Sequence, residues 1–233
     1  IFNQYDLSKF NKDKELKILD VGGGTGIFWK KNIENFKNFK LDITFTDFSE
    51  AMIEKNKNNT ELLKAKKTYE IADVEELSKY ENLFDIVLCH NVIYHAENKD
   101  KALSNLKNCL NNDEQSFCSI TTNSEKHMLN VYEIGRSLDK NFPTDRIIDS
   151  FTEEVADTML PKHFKYEKKI EEEELRVNDW SILMGFVASG VEPRGIKLVD
   201  SFYEDYKKIY EVEIKKQNYF SIIKRSPLYI CKK

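Results

Sequence analysis

Gly22, Gly24 and Gly26 stand at every second position between a short apolar run and an amphipathic stretch. Glycine permits a sharp turn at positive φ and lets a ligand approach the peptide with no Cβ in the way. The helix expected beyond the loop offers unpaired N–H groups and the positive end of its dipole. A ligand carboxylate or phosphate could use both. Register excludes two common loop chemistries. The fingerprint G-x-G-x-x-G fails from Gly22, where the sixth position is Ile27, and from Gly23, where the third is Thr25. A phosphate-binding P-loop fails too, because no Gly-Lys-Ser/Thr follows at the required distance.

The sulfur chemistry is quiet. Cys89, Cys109, Cys118 and Cys231 form no C-x-x-C pair, and no His/Cys cluster has zinc spacing. Cys89 and Cys118 lie in apolar, strand-like runs, where a free thiol behaves as a small hydrophobe. Reduced core cysteines suit the cytosol, so a soluble, cytoplasmic protein with neither disulfide framework nor metal is expected.

The elements that position the loop alternate along the first two-thirds of the chain. Strands are expected at 17–21, 41–46, 68–72, 84–89 and 116–121. An amphipathic stretch runs from the glycines to about Phe36, and a helix is expected over 49–56 with Ser49 available as N-cap. Ala102, Leu103, Leu106 and Leu110 share one face of a helix over 100–110. Strands alternating with helices imply βαβ units and a doubly wound, mostly parallel sheet with helices on both faces. Later, helices are expected over 125–138, 152–160, 179–188 and 196–217. The strand expected over 164–177 carries charges that suit a sheet edge. Another follows over 219–231, where Pro227 demands an edge strand or a tight hairpin.

Composition narrows the partners. The 233 residues fit one large domain, and no apolar run approaches the length needed to cross a bilayer. The chain begins at Ile1 rather than Met, which leaves room for residues ahead of it, a removed targeting segment included. Net charge is −4, and Lys55, Lys57, Lys64, Lys66 and Lys67 are interspersed with Glu54 and Glu61. That cluster reads as a solvated helix face. Balanced charge argues against a nucleic-acid partner.

With these residues in place, the nonapeptide Ile18-Leu19-Asp20-Val21-Gly22-Gly23-Gly24-Thr25-Gly26 resembles the first motif of class I methyltransferases almost letter for letter. The resemblance is firm over 17–121 and looser afterwards. It implies one Rossmann-like domain over 1–233, a seven-stranded sheet, and helical cap segments at roughly 123–150 and 178–217. It implies S-adenosylmethionine as cofactor, held at the loop of Asp20, Gly22, Gly24 and Gly26. Asp47 would accept both ribose hydroxyls, and Phe48 and Met52 would flank the adenine. Asp73 would accept from the adenine amino group, with the backbone of Val74 against the ring. His90 and the loop after it would face the methionine half.

Methyl transfer of this kind is an in-line displacement whose main demand is positioning. A base is needed only if the acceptor must lose a proton. His95, after the fourth strand, and His127, just past the fifth, are the candidates, and each also reads as an ordinary structural histidine. Tyr94 and Tyr132 could orient an acceptor. Trp180, Met184 and Phe186 could floor its pocket, although a buried helix stripe explains them as well. Asn91-Val92-Ile93-Tyr94 lacks the prolines of the Asp/Asn-Pro-Pro-Tyr/Phe signature of amino-methylating nucleic-acid enzymes. The expected acceptor is therefore a small molecule. The alternatives are an RNA or protein methyltransferase, or a non-catalytic module that keeps the cofactor fold. Oligomeric state and the atom methylated are not written in the sequence.

Overall fold

The computed structural model describes residues 5–143 and 146–233, so 144–145, inside the first expected cap segment, lie outside the described residues. Five parallel strands are joined by helices: β1 (Glu15–Val21), α1 (Ile27–Phe36), β2 (Lys40–Asp47), α2 (Glu50–Asn59), β3 (Lys66–Ile71), β4 (Ile86–His90), α3 (Lys99–Cys109) and β5 (Phe117–Thr121). All five expected strands are present, displaced at their ends by a few residues. Every residue of β5 and the first four of β4 are buried. Successive side chains of a strand point to opposite faces, so these strands are covered on both sides.

One face packs Ile18, Ile43, Phe45, Ile86, Leu88 and Phe117 against Trp29 and Phe36 of α1. α3 buries Ala102, Leu103, Leu106 and Cys109, and Leu110 beyond it is buried too. It starts where Asn98 Oδ1 accepts from Lys101 N at 2.9 Å, an N-cap that satisfies one orphan donor. Ser49 does hold the N-cap position of α2, but its side chain makes no cap bond. The expected single helix face is not formed, since Lys55 and Lys57 lie on α2, Lys66 and Lys67 on β3, and Lys64 between them.

The remaining elements are α4 (Leu129–Leu138), α5 (Glu153–Met159), β6 (Lys165–Val177), α6 (Trp180–Val191), α7 (Phe202–Gln217) and β7 (Phe220–Lys232). The sheet order is β3-β2-β1-β4-β5-β7-β6. β6 is thus the edge strand its charges announced. β7 pairs antiparallel with β5 and lies inside the sheet, which corrects both readings of Pro227. The ladder with β5 runs from Leu228 to Cys231, so the missing proline N–H falls one residue outside it.

Two helices begin later than the periodicity suggested. Residues 124–128 form a turn in which Ser124 N donates to Arg225 O at 3.1 Å and Lys126 N to Ser124 Oγ at 3.0 Å. Ahead of α7, Gly195 turns the chain at φ +62°, and Val199 N donates to Asp139 Oδ2 at 2.6 Å. These bonds to distant residues outweigh local helix propensity.

The chain divides into two compact units. The first comprises Ile1–Thr122, Glu154–Lys169 and Pro227–Lys233, and the second Asn123–Glu153 and Ile170–Ser226. The expected segments 123–150 and 178–217 both fall in the second unit, whose core gathers Val131, Leu183, Val187, Phe202, Tyr206 and Phe220. Among the described residues, no helix is long and apolar enough to cross a membrane.

Leu106 has no solvent-exposed surface. Leu106→Ala is expected to destabilise the protein by about 2–5 kcal/mol, read from the urea midpoint at constant slope. A loss below about 0.5 kcal/mol, the range of surface substitutions, would show that α3 does not seal its face of the sheet.

Candidate functional site

The chain leaves β1 toward β2 on one side of the sheet, and β4 lies on the other side of β1. At such a reversal of strand order the loops diverge and leave a crevice beyond the carboxyl ends of the strands. A cavity of about 530 Å³ lies there, lined by Gly22, Gly24, Asp47, Asp73, Asn91 and His95 among others.

The glycine loop is a set of backbone bonds. Gly23 N donates to Thr46 O at 2.9 Å, and Gly26 N to Gly23 O at 3.0 Å. Gly22, Gly24 and Gly26 have φ of +63°, +53° and +71°. At Gly22 the close approach is decisive, since a Cβ would lie 2.4 Å from Val92 Cγ2. Gly24 is different, because a Cβ there would meet no protein atom within 4 Å. Its bare face is open. Gly26 does not line the cavity; it holds the N-cap position of α1.

Asp47 ends β2 with its side chain committed to the backbone. Oδ2 accepts from Gly24 N and Oδ1 from Ser49 N, both at 2.9 Å. Each carboxylate oxygen carries a second lone pair, so two acceptor positions remain for a ligand diol. Phe48, beside it, is 67% exposed although aromatic. Phe48, Met52, Ala72 and Val74 give the cavity apolar walls. Asp73 also lines the cavity, its Oδ1 accepting from Glu75 N at 2.8 Å.

His95 lines the cavity, with its ring centroid 6.3 Å from that of Phe48. Asp20 and His90 do not line it. Asp20 accepts from the indole Nε1 of Trp29 at 2.7 Å. Burial pushes its carboxyl up to about 7, with the charge of Asp47 adding to the effect and the indole bond opposing it. His90 Nε2 is within hydrogen-bond distance of Tyr5 Oη (3.0 Å) and Ser119 Oγ (2.9 Å), and burial holds it down to about 4. His127 belongs to the second unit. Its Nδ1 is 3.2 Å from Arg225 O, and burial likewise lowers it to about 4. Trp180, Met184 and Phe186 pack on the core of the second unit, as a helix stripe would.

Two positions escaped the sequence reading. Asn91 lines the cavity at φ +58°, a conformation that asparagine tolerates better than most residues. The loop it opens is the one expected to face the methionine half of the cofactor, but nothing in the sequence singles out this residue within it. Glu75 Oε1 accepts from Glu97 N at 2.6 Å and Asn98 N at 3.0 Å. It therefore ties the loop after β4 to the loop after β3, which no local pattern announces.

A family model described as a methyltransferase domain matches residues 12–177. The chain belongs to this family. S-adenosylmethionine is accordingly its cofactor, and the open face of Gly24, the two remaining acceptor positions of Asp47 and the apolar walls around Met52 fit an adenosyl group. The chain is similar to a tRNA U34 carboxymethyltransferase of Campylobacter jejuni, 25% identical over 86% of this chain and 68% of that one. A ubiquinone biosynthesis O-methyltransferase of Coxiella burnetii is 30% identical over 38% of this chain and 36% of that one. Two other relatives are far longer, and the chain spans 6% and 4% of their lengths. The YcgJ protein of Bacillus subtilis shares the fold, with a TM-score of 0.61 at 14% identity over 94% of this chain and 93% of that one.

Asp47→Asn removes a charge and one acceptor position. It is expected to weaken S-adenosylhomocysteine binding by about 1.5–3 kcal/mol, tenfold or more, in calorimetry. Unchanged affinity would remove Asp47 from the ligand. Asp20 gives a pH signature. Its folded value of about 7 exceeds its ordinary 3.8, so between those values the native state keeps a proton that the unfolded state has released. Stability therefore falls as pH rises across that window. His90, depressed to about 4 from 6.5, contributes stability that instead rises with pH up to about 6.5. Asp20→Asn removes only the first contribution. Urea unfolding across the window is expected to show the variant gaining stability relative to wild type as pH rises, and parallel profiles would refute the assignment.

Proposed function

We propose that the protein transfers a methyl group from S-adenosylmethionine to a small-molecule acceptor by in-line displacement. The observation that carries this reading is the carboxylate of Asp47, fixed by two backbone N–H groups with acceptor capacity to spare at the end of the second strand. Bound there, the cofactor supplies an electrophilic methyl group. Asp47 takes the ribose hydroxyls and Asp73 the adenine amino group. Phe48 and Met52 flank the ring, Val74 supports it through its backbone, and the glycine loop admits the tail. The protein's task is alignment, and positioning of this kind can be worth about 7–11 kcal/mol of barrier.

His95 is the base for an acceptor that must lose a proton, because it already lines the cavity. His127 is the weaker candidate. A histidine held near 4 has little driving force for accepting a proton at neutral pH. Four free, buried thiols fit a reducing compartment, and we place the protein in the cytoplasm.

The small-molecule reading rests on the net charge of −4, the absence of the proline signature and the likeness to an O-methyltransferase. The likeness to a tRNA enzyme along 86% of the chain favours RNA as the second reading. Methyl-labelled S-adenosylmethionine separates them. Incubated with a cell extract, label is expected in the small-molecule fraction, at a rate lowered at least about tenfold in His95→Ala if a base is used. Label recovered in RNA would overturn the acceptor class. Label in protein would make the acceptor a protein, and label in none of these fractions, with cofactor binding intact, would favour a non-catalytic module.

A further inference from the structure

A second cavity, of about 320 Å³, lies wholly within the first unit and shares no lining residue with the cofactor crevice. Its floor is apolar and aromatic. Phe117 is buried, while Tyr5, Tyr166 and Ile230 are half-buried around it. Tyr5 and Phe117 stand 5.5 Å apart, tilted by 49°. Four lysines, Lys9, Lys165, Lys169 and Lys232, line it with only two acids, Asp6 and Glu167. That is a local excess of positive charge in a chain whose net charge is −4.

A solvated lysine run would come from one exposed stretch. These lysines converge instead from three places: the turn at Leu7–Lys9, strand β6 and strand β7. Lys9 Nζ lies 3.4 Å from Asp6 Oδ2, and Lys232 Nζ donates to Glu114 O at 2.6 Å. An aromatic floor selects a flat ring, and several ammonium groups around it select a multiply charged anion. We infer that this cavity is a second ligand site, for a small planar molecule carrying a phosphate, of the size of a mononucleotide.

The site is wired to the crevice through Tyr5. Its hydroxyl lies 2.7 Å from Ser119 Oγ and 3.0 Å from His90 Nε2, and those two atoms are 2.9 Å apart. His90 is the last residue of β4, and the next residue, Asn91, opens the loop that lines the crevice. A ligand against the Tyr5 ring therefore acts one residue away from the cofactor loop. Coupling of this kind is reciprocal, so each ligand changes the affinity of the other by the same factor.

The probe is uridine monophosphate, titrated by calorimetry with the crevice saturated by S-adenosylhomocysteine. Binding with a Kd below about a millimolar is expected, weakened at least about tenfold by Lys165→Glu and by added salt. Lys165 is exposed, so this variant folds as wild type does. Uridine alone and inorganic phosphate alone are each expected to bind more weakly, the first lacking the charge and the second the ring. No heat with the nucleotide, equal binding in Lys165→Glu, or displacement of the nucleotide by S-adenosylhomocysteine would overturn the site. For the coupling, saturating nucleotide is expected to shift S-adenosylhomocysteine affinity severalfold in wild type and not in Tyr5→Phe. An unshifted affinity in wild type would overturn it.

Discussion

The carboxylate of Asp47 is the point at which strand, loop and helix are fastened together. One oxygen holds the glycine loop through Gly24 N, and the other holds Ser49 N at the start of α2. Its own carbonyl accepts from Ala72 N at 3.1 Å, which draws in the chain after β3. Three loop ends are thereby fixed relative to one acidic group. A ligand diol arriving there meets acceptors already ordered by the backbone, so little side-chain entropy is lost on binding. The same bonds explain the need for glycine, since Gly24 must turn its N–H toward β2 at φ +53° while leaving its other side bare.

Asp20 shows what happens to an acid nearby without such support. Its carboxyl group's partner among the described residues is the Trp29 indole, and it lies 5% exposed in the core. Burial raises its carboxyl to about 7, which favours the neutral form and lessens its repulsion of Asp47. The two acids bracket the glycine loop in sequence but divide the labour. One braces α1 against β1 through the indole, and the other faces the cavity.

The legible part of this molecule is the part governed by short-range rules. Apolar runs bounded by turns mark the parallel strands, and the glycine register marks the loop between β1 and α1. Asp47 and Asp73 were marked by the family resemblance, and both line the cavity. What escaped was set by bonds across long sequence distances. Glu75 reaches residues 22 and 23 positions away, and Val199 is held by Asp139, 60 positions away. Pro227 misled because its rule concerns a missing donor, and the ladder with β5 begins only at the next residue. Asn91 left no periodic trace, since a single left-handed residue has none.

The arginines are unevenly distributed. All five arginines, Arg136, Arg146, Arg176, Arg194 and Arg225, fall in the second unit, while the first carries only lysine as its long cation. The second includes stretches whose carbonyls need other donors. Arg146 donates to His127 O at 2.6 Å and Glu125 O at 2.8 Å while also holding Asp149. Arg225 grips both oxygens of Glu153 and one of Glu172. Such planar forks can serve several acceptors at once, as a lysine point charge cannot. Replacing Arg146 by Lys would keep the charge and still strand a carbonyl, so its role there is geometric before it is electrostatic.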